Sequence, residues 1–316
     1  MEAIVAKPRG FCAGVERAIK VVELALEKFG APVYVRKEIV HNTHVVARLK
    51  AAGAVFVNDL DEVPVGAITV LSAHGSPPTV YSRAAARDLQ VIDATCPLVT
   101  KVHAEVKRYV KRGYRIIFIG HAGHDEVEGT MGQAPECTTL VETIADVARL
   151  QLAADQPGVI LTQTTLSQDD TAGIVQALQA RFPWLELPPS DDICYATQNR
   201  QNAVKQMLAE RDIDLLLVVG SQNSSNSKRL TEVAIARGIE SHLIDGPEQI
   251  DPAWIQTRRR IGVTSGASAP EDVVQSVLSY LRGRGAGAID EIPAPDENVV
   301  FGLPPFARLT RGGEPL

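Results

Sequence analysis

Short runs of β-branched and aliphatic residues alternate along this chain with segments whose apolar residues recur at helical spacing, and that alternation limits the fold more than any other feature. It is the pattern of an α/β protein, in which parallel sheets are covered by helices. Strands are expected at 3–6 (AIVA), 54–57 (AVFV), 67–72 (AITVLS), 116–120 (IIFIG), 159–163 (VILTQ), 213–220 (IDLLLVVG) and 260–265 (RIGVTS). The clearest helix follows Cys12. Val15, Ala18, Ile19, Val22, Leu26 and Phe29 share one face of it, and Gly30 ends it as a left-handed cap would.

With 316 residues, 45% of them hydrophobic, the chain can bury a large core and is longer than one average domain. A formal charge of −6 gives no basic footprint, so no nucleic-acid partner is expected. Apolar runs such as LLLVV at 215–219 stop far short of the roughly 20 residues a membrane span needs, and no signal-peptide pattern opens the chain. A soluble, cytoplasmic protein without a membrane partner is the expectation. In a reducing compartment its cysteines, Cys12, Cys96, Cys137 and Cys194, read as ligands, catalytic groups or packing rather than as disulfides.

Cys12, Cys96 and Cys194 mark off segments of similar length, which suggests a repeat of architecture without residue identity. The expected units are 1–96, 97–193 and 194–281. The stretch 282–316, rich in Gly and Pro, should form an extended tail. Each of these cysteines stands at a helix start: Cys12 before the helix just described, Cys96 before Pro97, and Cys194 before YATQNRQNAVKQMLAE. Unpaired N–H groups and the positive end of the helix dipole favour a thiolate there, and any anionic cluster that thiolates hold. One such cysteine reads as a small buried hydrophobe. Three in equivalent positions do not, whereas Cys137, in QAPECTTLVE, has no such helix and reads as packing.

Close ferredoxin-type spacing and paired CxxC motifs are absent, so a shared site would have to be assembled by the fold. Three small parallel-sheet α/β domains arranged with pseudo-threefold symmetry would bring the cysteines to one central cluster, at the C-terminal strand edges where such sheets bind ligands. Three protein ligands on a four-iron cluster leave one iron open to a substrate oxygen.

Strand ends are rich in hydrogen-bonding groups: His41 in EIVHNT, His74 in LSAHGS, His121, His124, Glu126 and Glu128 in GHAGHDEVEG, Thr162, Thr164 and Thr165 in TQTT, Ser224, Ser225 and Asn226 in GSQNSSNS, and Ser268 in SGASAP. Such donors can hold a diphosphate without a Walker motif, and none is present. Singly, each reads as a structural histidine, a turn or a cap; their clustering at strand ends argues otherwise. Spacing does not choose between Glu126 and Glu128 as a proton donor.

The segments KPRGFCAGV (7–15), YVRKEIVHN (34–42), SAHG (72–75), DATCPLVTKVH (93–103), GHAGHDEVEGTMGQ (120–133), TQTTLS (162–167), DDICYATQNRQ (191–201), VVGSQNSSNS (218–227) and GVTSGASAP (262–270) together resemble the 4-hydroxy-3-methylbut-2-enyl diphosphate reductase (LytB) family across almost the whole chain. The resemblance implies an iron-sulfur oxidoreductase at the last step of the methylerythritol phosphate route to isoprenoids. It would remove the substrate hydroxyl by two-electron reduction to give isopentenyl and dimethylallyl diphosphates. It implies a [4Fe–4S] cluster on Cys12, Cys96 and Cys194. It also implies diphosphate binding by His41, His74, His124, Ser224, Ser225, Asn226 and Ser268, proton delivery by Glu126 with Thr164 in the relay, and a flavodoxin or ferredoxin as electron donor. Asp125 stands where the pattern leads one to expect proline, and Cys137 matches no ligand.

Two other classes compete. A zinc-dependent phosphohydrolase built on HAGHDE would need a third close ligand and would leave the matched cysteines without a role. A non-catalytic phosphometabolite sensor would need no open iron.

Overall fold

The computed structural model describes residues 1–295 and 297–304, with the backbone alone of 310–311 and 314–315. In chain order the first elements are β1 (Glu2–Val5), α1 (Ala13–Phe29), β2 (Val33–Arg36), α2 (Thr43–Ala51), β3 (Ala54–Val57), β4 (Ile68–Leu71), α3 (Pro78–Ala86), β5 (Gln90–Asp93) and α4 (Pro97–Lys111). There follow β6 (Arg115–Ile119), α5 (Asp125–Met131), β7 (Thr138–Val141), α6 (Ile144–Arg149), β8 (Gly158–Thr162), α7 (Gln168–Arg181), β9 (Leu185–Glu186) and α8 (Tyr195–Glu210). The last group is β10 (Leu215–Val219), α9 (Ser225–Ile235), β11 (Glu240–Ile244), α10 (Pro252–Ile255), β12 (Arg260–Ser265), α11 (Glu271–Gly283) and β13 (Ala288–Glu291).

These elements form two compact units. The first takes Met1–Glu16, Val40–Arg48 and Tyr195–Val300 and holds one parallel sheet, in the order β11-β10-β12-β1-β13. Its inner strands β10, β12 and β1 are buried on both faces, as a doubly covered parallel sheet requires. Leu215, Leu217 and Val219 face Val273, Val274, Val277 and Leu281 of α11. Leu216 and Val218 face Val204 and Met207 of α8 and Leu230 of α9.

The second unit takes Arg17–Ile39 and Leu49–Cys194, with the described residues from Phe301 onward. It holds two parallel sheets, in the orders β3-β2-β4-β5 and β7-β6-β8-β9. Ile117, Ile119 and Ile160 pack under α7, while Ile116, Phe118 and Leu161 pack under α4. Leu71 and Val57 pack against Val80 and Ala84 of α3.

The α/β class with three parallel sheets is as the sequence pattern leads one to expect. Strand membership adds something the pattern does not contain. β1 does not join its sequence neighbours but pairs with β12 and β13, in the place that β5 and β9 hold in their own sheets. Each of β1, β5 and β9 is followed by one of the three equivalent cysteines. The stretch after 281 also begins as regular structure, since β13 adds to the edge beside β1. α1 runs to Phe29 with Gly30 at φ +76°, the left-handed stop read from the sequence.

Candidate active site

Each of the three cysteines directly precedes the first residue of a helix: Cys12 before α1, Cys96 before α4, where Pro97 takes the first helical position, and Cys194 before α8. The backbone treats them alike. The Cys12 N–H donates to the Ala267 carbonyl at 3.1 Å, the Cys96 N–H to Ala73 at 3.0 Å and the Cys194 N–H to Thr164 at 2.8 Å. Each acceptor lies two residues beyond a strand end, after β12, β4 and β8 respectively. This recurrence is the architectural repeat expressed at atomic scale. Burial pushes the Cys12 thiol up, while the charge of Arg200 and backbone hydrogen bonds from Val15 and Gly14 in the first turn of α1 pull it down. Cys12, Cys96, Cys137 and Cys194 all carry thiols rather than disulfides.

In the second unit Glu126 lies in the first turn of α5 and is 2% exposed. Its Oε1 accepts the Thr164 N–H at 2.7 Å and its Oε2 accepts the Thr164 hydroxyl at 3.0 Å. The acid is therefore bonded to the same residue whose carbonyl holds Cys194. His124 caps α5, and its Nδ1 accepts the Glu126 N–H at 3.1 Å, which leaves the ring proton of the neutral form on Nε2. The His74 ring meets His124 edge-on at 5.9 Å, and its Nδ1 lies 4.0 Å from Asp125.

Asp125 occupies the first helical position of α5, which suits proline and suits an acid equally well because of the helix dipole. It pairs with Lys37 at 3.2 Å. Glu128 is half exposed on its side chain and pairs with Arg36 and Lys37. His121 lies 3.8 Å from Glu142, and the Thr162 N–H donates to Asp192.

In the first unit the Ser268 hydroxyl donates to the His41 carbonyl at 2.9 Å, and the His41 ring lies 3.4 Å from the Asn223 amide. Ser224 caps α9, accepting the Ser227 N–H, and Ser225 is the first helical residue. Asn226 Oδ1 accepts the Ala267 N–H at 2.8 Å, so it stands to Ala267 and Cys12 as Glu126 stands to Thr164 and Cys194. Its Nδ2 is buried and has no hydrogen-bond partner among the described residues.

The LytB protein family model matches residues 3–282. The chain belongs to the LytB protein family. Among LytB relatives, the 4-hydroxy-3-methylbut-2-enyl diphosphate reductase of Bordetella pertussis is 57% identical over 303 residues, covering 96% of this chain and 93% of its own. The enzyme of the same description from Nocardia farcinica is 55% identical, covering 98% and 91%. The solved structure of the E-1-hydroxy-2-methyl-but-2-enyl-4-diphosphate reductase from Plasmodium falciparum superposes with a TM-score of 0.93 at 41% identity, over 96% of this chain and 95% of that one.

One residue packed among these groups, Gln163, carries no obvious sequence signal. Gln163 is fully buried, takes the His121 N–H on Oε1 and gives Nε2 to Thr165. It stands inside TQTT, where the hydroxyls draw attention first. Arg36 and Lys37, which grip the outer face of α5, close strand β2 as adjacent cations. That is a signal sequence reading can use.

Proposed function

We propose that this chain reduces (E)-4-hydroxy-3-methylbut-2-enyl diphosphate, adding two electrons and two protons and releasing water, to give isopentenyl and dimethylallyl diphosphates. This is the activity named for its close relatives, and it is the last step of the methylerythritol phosphate route. The observation that carries the reading is the Glu126–Thr164–Cys194 chain, which ties a buried acid to the backbone of a helix-start cysteine.

Cys12, Cys96 and Cys194 are proposed to hold a [4Fe–4S] cluster. The donor set fits such a group: three thiols at helix starts, and at Cys12 the first-turn N–H groups and the buried Arg200 guanidinium offset part of the burial that pushes the thiol up. When bound, the cluster would supply electrons and a Lewis-acidic iron for the substrate hydroxyl. His41, His74, His124, Ser224, Ser225, Asn226 and Ser268 are assigned to the diphosphate. In support, Asn226 Nδ2 awaits an acceptor at the start of α9.

Glu126 is assigned proton delivery and Thr164 the relay. A threonine hydroxyl donates or accepts by rotating. The pair therefore holds its geometry whether Glu126 is ionised or protonated: Oε1 keeps the Thr164 N–H in both states while the hydroxyl reverses its bond. Glu128, turned to Arg36 and Lys37, has no such arrangement.

The donor is assigned as a flavodoxin or ferredoxin and the compartment as the cytoplasm, where thiols stay reduced. Among the described residues no helix is long and apolar enough to cross a membrane. Anaerobic turnover of the allylic diphosphate with a reduced donor tests the proposal. Formation of the two five-carbon diphosphates is expected, and release of inorganic phosphate without them would contradict it.

A further inference from the structure

Three cations recur at nearly one position in this chain, five residues after Cys12, five after Cys96 and six after Cys194, each in the second turn of a helix that an equivalent cysteine opens. Arg17 lies in α1, Lys101 in α4 and Arg200 in α8. None of them grips the loop of its own cysteine. Arg17 donates to the carbonyls of Ala94 and Thr95, immediately before Cys96, at 3.0 and 3.1 Å. Lys101 donates to the carbonyls of Ser190 and Asp191, just before Cys194, at 3.2 and 2.7 Å, and to Asp192 at 3.1 Å. Arg200 donates to the Gly10 carbonyl, two residues before Cys12, at 2.8 Å. The order is cyclic: the helix opened by Cys12 holds the Cys96 loop, that opened by Cys96 holds the Cys194 loop, and that opened by Cys194 holds the Cys12 loop.

We propose that Arg17, Lys101 and Arg200 are positioning residues, each fixing the loop before one cysteine from the helix that the preceding cysteine opens. The reading rests on the assignment of these cysteines as ligands. Hydrogen bonds to a charged donor are stronger than neutral ones, and a backbone carbonyl held from outside its own helix cannot drift with that helix. Arg200 shows how firmly the device is built. It is fully buried, a costly place for a guanidinium unless it is paired. Glu297 supplies the carboxylate at 3.1 Å, Asn199 steadies Glu297 at 2.9 Å, and the Ala196 carbonyl takes a further N–H. The Arg200 Nε is buried with no hydrogen-bond partner among the described residues, so this side chain is held for its other bonds despite an unsatisfied donor.

Hydrogen–deuterium exchange of the full chain, purified anaerobically, tests the cycle by asking which peptide loosens. Lys101→Met should speed exchange by about tenfold, the equilibrium equivalent of one lost charge-assisted hydrogen bond, in the peptide carrying Cys194 and not in that carrying Cys96. Arg17→Met should loosen the Cys96 peptide and spare that of Cys12. Lys101→Arg should restore protection. Arg200→Lys should loosen the Cys12 peptide; should it not fold, the two partly exposed cations still decide the matter. Loosening confined to the loop of each cation's own cysteine, uniform loosening, or none would overturn the proposal. Exchange is a property of the backbone, so this result stands apart from the iron content of the wild type, which tests the cluster assignment itself.

Discussion

Glu126 and Thr164 meet at two points, the carboxylate taking both the backbone N–H and the hydroxyl of the same threonine at 2.7 and 3.0 Å. The pair is buried, with Glu126 2% and Thr164 4% exposed. Glu126→Gln would keep one acceptor and replace the other by an NH2 group that carries no transferable proton. We expect kcat to fall by about 10²–10⁴, the range for a lost general acid, with KM and iron content little changed. A wild-type kcat in this variant would remove the proton-delivery role. Thr164→Val should retain the Cys194 N–H bond, which uses the backbone, yet lower kcat in the same direction.

A second buried carboxyl lies where α4 meets the loop before Cys194. Burial, reinforced by Asp192 and opposed by Lys101 and Arg108, pushes Glu105 up to about 7. An acid whose folded pKa is raised keeps a proton that the unfolded chain gives up near 4.5. The stability it contributes is therefore fully present at low pH and is lost as pH rises from about 4.5 through about 7. Denaturant titrations across that window should show the loss in the wild type and a flatter profile in Glu105→Gln. A parallel decline in both proteins would mean that another group is responsible.

Glycine at helix positions separates two forces. Alanine in place of a helical glycine normally gains up to about 1 kcal/mol. At Gly129 in α5 a Cβ would stand 2.9 Å from the Gly75 carbonyl, in the backbone of the SAHG loop that carries His74. Overpacking against backbone costs about 1–3 kcal/mol, so Gly129→Ala should lower the melting temperature. Gly173 in α7 meets only the Ile144 Cδ1 at 3.6 Å, an ordinary contact. Gly173→Ala should raise the melting temperature. Thermal unfolding of the two variants checks both signs, and stabilisation by Gly129→Ala would refute the close approach.

The central strands β1, β4, β6, β8, β10 and β12 are legible in the sequence because burial on both faces demands apolar runs, and the edge strand β3 (AVFV) is legible because it too is an apolar run. β5 (QVID), β7 (TTLV) and β11 (ESHLI) are not, being edge strands with half-buried positions and polar residues. β2 (VYVR) is the exception among central strands, short and interrupted by Tyr34 and Arg36. Pairing partners were out of reach for a different reason: AIVA states that β1 is buried but not that its neighbours lie at the other end of the chain. In the site, the chemistry-bearing side chains stood out as residue types at strand ends. The carbonyls of Ala73, Thr164 and Ala267 and the cations that hold each cysteine loop did not, since backbone acceptors have no sequence signature and a lysine on a helix reads as solvated surface.

The most direct measurement is iron and acid-labile sulfide per chain after anaerobic purification, for the wild type and for single serine variants of the four cysteines. About four of each are expected in the wild type and in Cys137→Ser, with the intact cluster and turnover lost together in Cys12→Ser, Cys96→Ser and Cys194→Ser. A Cys96→Ser protein that kept four irons and full turnover, or a wild type that bound one zinc instead, would contradict the account.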